Sequence, residues 1–215
     1  MVKVASVFLF VVGIICAGLA EESPPSVNSP RDAAQASGES AAPSDAPLVS
    51  AFHQKDEPSK KDERIRAQAY LSVDKIPAGS TCQVIVVVNV EKGWHINANP
   101  PSPAFVIPVK LNYKSKNNVE LIDVKYPPGK PFDLDGAAVP ILVYDGEVQL
   151  RGTVQIPAEA GGLTEDMEIN VTYQACHERG CLPPKTIKLI GKLPIAQHGD
   201  LIKPVNGKLF NRRTP

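Results

Sequence analysis

Residues 64–73 read RIRAQAYLSV, with Ile65, Ala67, Ala69, Leu71 and Val73 on one parity and Arg66, Gln68, Tyr70 and Ser72 on the other. That alternation belongs to a strand with one face on a core and one toward water. Pro77-Ala78-Gly79-Ser80 supplies a turn, and Cys82, Val84, Val86, Val88 and Val90 form the next inward row. Phe105, Ile107, Val109, Leu111 and Tyr113 form another. Over 119–126 the phase slips, from Val119 and Leu121 to Ile122, Val124 and Tyr126. A one-residue slip flips the buried face, so a bulge is expected near Leu121-Ile122. Val139–Tyr144 and Val148–Ile156 flank Asp145-Gly146, which predicts a hairpin. Ile169, Val171, Tyr173 and Ala175 give one late strand, and Ile187, Leu189 and Leu193 another.

No stretch carries a helical stripe. Short strands separated by turn residues predict an all-β fold, an immunoglobulin-like antiparallel β-sandwich of about eight strands. Its expected extent is 63–196, with a loose tail over 197–215. The whole chain has 215 residues, enough for one ordinary domain and its tails. Its 21 prolines oppose long helices, because proline lacks a backbone donor. Lys+Arg and Asp+Glu are both 23, with no basic run, which argues against a nucleic-acid binder.

Residues 1–20 place Lys3 before an apolar run from Val4 to Cys16, then small residues ending at Ala20. This is the layout of a secretory signal cleaved after Ala20. The run is short for spanning about 30 Å of hydrocarbon. Lipid attachment at Cys16 is disfavoured, because Ile15 stands where a small residue is expected. No later segment is apolar enough to cross a bilayer, so the mature chain is expected in the periplasm or outside the cell. Residues 21–62 are rich in Ser, Pro and Ala without periodicity, and read as a disordered linker.

Signal removal leaves Cys82, Cys176 and Cys181, an odd count in an oxidising compartment. Cys82 shares parity with the valines that follow it, so a buried, inert thiol is expected. Extending the alternation of 168–175 places Cys176 on the polar face, hence accessible. Cys176-His177-Glu178-Arg179-Gly180-Cys181 allows a tight reversal at Gly180, and Pro183-Pro184 stiffens the exit. A disulfide closing so short a ring stabilises by only about 2 kcal/mol, against about 4–5 for a ring of a hundred residues. A redox role suits it better, with His177 and Arg179 beside the sulfur to favour thiolate. Two rivals stay open: a structural clip in a non-catalytic protein-binding module, and a copper or zinc site using Cys176, His177 and Cys181. His95 reads either as a remote ligand for such a metal or as a hydrogen-bonded corner residue.

Gly93-Trp94-His95-Ile96-Asn97-Ala98-Asn99-Pro100, followed by Tyr173-Gln174-Ala175-Cys176 and Cys181-Leu182-Pro183-Pro184, resembles the N-terminal periplasmic domain of the thiol:disulfide interchange protein DsbD. The resemblance runs over roughly 60–195. It implies an immunoglobulin-like sandwich whose one redox-active pair is Cys176 and Cys181. It implies exchange with thioredoxin-fold periplasmic proteins, electrons from a separate membrane protein, and no organic cofactor. The sequence does not decide which cysteine attacks; the reading leans to Cys181 for the mixed disulfide. The family's cap loop falls on Pro131–Gly136, with Phe132 or Leu134 as the shield and Asp133 and Asp135 as influences on the thiols. Four residues separate the cysteines here, where the best-known members have five.

Overall fold

The structure, a computed structural model, describes residues 52–54, 64–133 and 139–211. The expected signal segment, most of the expected linker, and Leu134 and Asp135 lie outside them. The early strands are β1 (Phe52–Gln54), β2 (Ile65–Leu71), β3 (Ile76–Pro77), β4 (Thr81–Val90) and β5 (His95–Asn97). Then come β6 (Lys110–Lys114), β7 (Glu120–Lys125), β8 (Lys130–Phe132), β9 (Ile141–Tyr144) and β10 (Glu147–Gln155). The last are β11 (Thr164–Tyr173), β12 (Ala175–His177), β13 (Gly180–Cys181) and β14 (Lys185–Ala196), followed by one helical turn, α1 (Gly207–Phe210).

These strands form three sheets, ordered β1-β14-β11-β6, β2-β4-β10-β7 and β13-β12-β5-β9-β8, with β3 beside β14. The β3–β14 pair is parallel and the other strand pairs are antiparallel. One apolar cluster joins Ile65, Ala67, Ala69 and Leu71 of β2 and Val84, Val86 and Val88 of β4 to Ile169 and Val171 of β11 and Ile187 and Leu189 of β14. That shared core makes the first two sheets a sandwich, and the fold is the all-β, immunoglobulin-like class that the alternation predicts. The third sheet holds Cys176 and Cys181.

Cys82 is the free, buried cysteine expected, and burial pushes its thiol pKa up. The bulge forms in β7: between Arg151 and Thr153 of β10 the register slips, and β7 spends an extra residue from Ile122 to Lys125. Asp123 takes the left-handed conformation there, φ +51°. The extra residue therefore sits one step beyond the Leu121-Ile122 position expected.

Four expectations need correction. Asp145-Gly146 does make a tight turn, Gly146 having φ +63°, but β9 and β10 do not pair across it. β9 pairs with β5 and β8, whereas β10 pairs with β4 and β7, so the chain changes sheet at this corner. The inward row begins at Val109, not Phe105. Phe105 is 83 % exposed, and the prolines at 103 and 108 lack the donors a central strand needs. The linker is interrupted by β1, where Phe52, the only aromatic residue of 21–62, is buried beside β14.

The tail is not loose either. Val205 N–H donates to the Ser72 carbonyl at 2.9 Å, Asp74 N–H to that of Lys203 at 3.0 Å, and Asn206 Nδ2 to that of Leu71 at 2.8 Å. Leu209 is buried with Tyr70, Ile85 and Val87 on the outer face of the β2-β4-β10-β7 sheet. Those three residues have the parity assigned to water. Left bare they would form an apolar patch, and the C-terminal segment covers it.

Candidate redox site

β12 and β13 form a hairpin with Glu178 and Arg179 at its tip. His177 faces Gly180, and one step further in Cys176 faces Cys181. Gly180 has φ +137°, a conformation other residues resist. The two cysteines are bonded, with Cα atoms 4.0 Å apart, closer than the 5–6 Å typical of disulfides because the residues stand directly opposite on neighbouring strands.

The two sulfurs have different surroundings. Cys176 is 2 % exposed, whereas Cys181 is exposed. The expectation that Cys176 is accessible is overturned. Its parity argument carried the β11 register through Gln174, but the strand ends at Tyr173 and Ala175 starts β12 in another sheet. Gln174 is the joint where the alternation resets, and Ala175 and Cys176 are both buried.

The hairpin docks on the first sequence motif. Cys176 pairs with His95 and Ala175 with Ile96, so β12 lies against β5. Hydrogen bonds fasten the joint. Leu182 N–H donates to the Ala175 carbonyl at 2.9 Å, and Gln174 Nε2 donates to the Leu182 carbonyl at 3.1 Å. Asn97 Nδ2 reaches Gln174 Oε1 at 3.5 Å and the Ile107 carbonyl at 3.0 Å. The motifs around Trp94 and Cys176 are thus strand partners, a relation that their separation in the chain conceals.

Two ring contacts involve neighbours of Cys176. Trp94 meets His177 edge-on with centroids 4.5 Å apart, and the Arg64 guanidinium lies 4.7 Å over the Trp94 ring. Arg179 N–H donates to His177 Nδ1 at 3.0 Å, closing the tip. Phe132, half-buried on β8, packs against His95 with centroids 4.3 Å apart. Asp133 is exposed next to it. Of the four cap candidates, Phe132 is therefore placed one ring from the cross-strand partner of Cys176.

His95 is buried in β5, and its imidazole has no hydrogen-bond partner among the described residues, unlike the corner residue expected. Burial holds its pKa below the ordinary value; the nearby Asp145 opposes that shift and His177 adds to it. Asp145 is itself ion-paired with Lys130. The cue to His95 was its place on the Gly93–Pro100 motif; its partner was not readable. For the metal reading, no three His, Cys, Asp or Glu side chains gather among the described residues. With Cys176 and Cys181 bonded to each other, neither offers a thiolate.

An antiparallel sandwich carrying a disulfide hairpin, one sulfur outward and one inward, defines a class of β-module with a reachable cystine. The family model described as thiol:disulfide interchange protein DsbD, N-terminal, matches residues 65–190, and the chain belongs to that family. Two solved structures are similar to it. One is the N-terminal periplasmic domain of ScsB from Proteus mirabilis, at 14 % identity over 66 % of this chain and 51 % of that one, TM-score 0.44. The other is the Neisseria meningitidis DsbD N-terminal domain in the reduced form, at 19 % identity over 63 % of this chain and 89 % of that one, TM-score 0.32. The chain thus spans about half the length of the ScsB structure. No curated protein matches it. No described helix is long and apolar enough to cross a membrane.

Proposed function

We propose that this chain is a periplasmic thiol–disulfide exchange module that trades electrons with thioredoxin-fold proteins through Cys176 and Cys181. The observation that carries the reading is the exposed Cys181 bonded to the buried Cys176. A partner thiolate attacks the Cys181 sulfur, the S–S bond breaks, and Cys176 leaves as the thiolate. A second partner thiol then displaces Cys181, so the partner becomes a disulfide and this pair a dithiol. Two electrons move, and no organic cofactor takes part. The reverse sequence returns them.

A cleaved signal ending at Ala20 delivers the chain to the periplasm. The shield over the pair between encounters is Phe132 or Leu134, while Asp133, Asp135, His177 and Arg179 tune the thiols. The test is equilibration of the folded protein with a dithiol buffer of set potential. A Cys176–Cys181 potential well above about −300 mV, the region of structural disulfides, supports exchange. Resistance to reduction in the folded state assigns the pair to a structural clip.

A further inference from the structure

Resting on that reading of the pair, we infer that His95 is the proton acceptor for Cys176, converting its buried thiol to the thiolate that resolves a mixed disulfide at Cys181. When Cys181 is joined to a partner, Cys176 must lose its proton before it can attack. Cys176 is 2 % exposed and His95 7 %, so both side chains are largely withdrawn from bulk water. Burial in apolar surroundings favours the thiol, which does not attack. A base held beside Cys176 in the fold would ease that step.

His95 suits that role by position. It is the direct cross-strand partner of Cys176, and such pairs place their Cβ atoms about 4.5–5.5 Å apart on one face of the sheet. The imidazole and the Cys176 sulfur thus leave the sheet on the same face. Its nitrogens are not engaged by any described residue, and the Phe132 ring packs against it, centroids 4.3 Å apart. The charged and titratable groups around it are Asp145 after β9, Lys130 on β8, which is paired with Asp145, and His177 on β12. Burial keeps the imidazole unprotonated near neutral pH, the form that accepts a proton.

The step balances. The Cys176 thiol gives its proton to His95, the thiolate attacks the Cys181 sulfur, the bond from Cys181 to the partner breaks, and the partner leaves as its own thiolate. Imidazolium then returns the proton to solvent. In the opposite direction a protonated His95 neutralises the Cys176 thiolate as it forms.

Ellman's reagent separates the two half-steps without a protein partner. The first thionitrobenzoate is released when Cys181 of the reduced protein attacks, the second when Cys176 resolves the adduct. His95→Gln is expected to leave the first phase unchanged and to slow the second on the order of 100-fold at pH 7, the size of a lost general base. The second-phase rate of the native protein should follow a titration in the histidine range, which His95→Gln removes. A second phase of equal rate and pH profile in both proteins overturns the proposal. Should His95→Gln not fold, NMR titration of the native protein decides: a His95 pKa that differs between dithiol and disulfide forms supports the pairing, and an identical one overturns it. Because the reagent is a small molecule, these outcomes do not depend on whether thioredoxin-fold partners exist.

Discussion

Cys176 and Cys181 share one bond but not one environment: Cys176 is buried on β12, between β5 and β13, and Cys181 stands at the surface. A visiting thiol or disulfide therefore meets Cys181. Cys176→Ser, which leaves Cys181 alone, is expected to accumulate a mixed disulfide with a thioredoxin-fold protein. Cys181→Ser, which leaves only the buried sulfur, is expected to yield little. Non-reducing electrophoresis with mass spectrometry of the adduct reads the difference, and equal trapping by both variants would contradict the asymmetry.

Trp94 is the only tryptophan of the chain, and its ring meets that of His177, one residue from Cys176. Opening the disulfide frees the hairpin from its cross-link and changes what surrounds the indole. Reduction is expected to shift the intensity or wavelength of tryptophan emission, with a midpoint equal to that of the thiol titration. Cys181→Ser should show no such response to dithiol. An emission spectrum indifferent to redox state would mean that the hairpin keeps its packing when open.

Gly129 precedes β8 where the backbone passes close to two others. A Cβ there would lie 2.6 Å from Ala98 Cβ and 2.9 Å from Leu142 Cβ, neither of which is the far end of a flexible chain. Gly129→Ala is expected to destabilise the protein by about 1–3 kcal/mol through overpacking. It should also move β8, and with it the Phe132 ring, away from His95. Urea unfolding measures the first effect, and the chemical shifts of the His95 imidazole measure the second.

Much of this was legible because several strands bury one face. The rows beginning at Ile65, Cys82 and Ile169 could be read from alternation alone, and β2, β4 and β11 lie where it places them. Alternation reports which side chains share a face, not which strand lies alongside. Asp145-Gly146 is a strong turn signal, yet its flanks join different sheets, because partner choice depends on residues far away in the chain. The same blindness misplaced Cys176: nothing local to Gln174 marks it as a joint between sheets. Ile85, Val87 and Tyr70 do carry a local signal that this outer face is covered, three apolar residues on the parity that faces water. At the site, the cysteine pair and both motifs were readable, while the depth of each sulfur and the pairing of His95 with Cys176 belong to tertiary structure.

The His95 shift also predicts how stability depends on pH. Burial is its main cause; Asp145 opposes it and His177 adds to it. In the unfolded chain this histidine binds a proton near its ordinary value of 6.5, and in the fold only at lower pH. Between those values the unfolded state holds more protons, so stability is fully present above pH 6.5 and falls as the pH drops below it. The urea midpoint is expected to decline from pH 7 to pH 5, and His95→Gln should flatten that decline. A midpoint equally steep in both proteins would assign the acid sensitivity to other groups.

The C-terminal segment offers a test that leaves the redox site alone. Leu209 is 6 % exposed among Tyr70, Ile85 and Val87, and an Arg151 guanidinium nitrogen donates to the Leu209 carbonyl at 3.3 Å. This contact lies on the outer face of the β2-β4-β10-β7 sheet, and the disulfide belongs to a different sheet. Leu209→Ala is expected to cost about 2–3 kcal/mol, toward the low end for a buried leucine because the surrounding cluster is small. Dithiol reduction of Cys176–Cys181 should keep its midpoint under native conditions. If the variant matches the native urea curve, the segment lies on the sheet without contributing to stability. If the redox midpoint moves as well, the two faces are coupled.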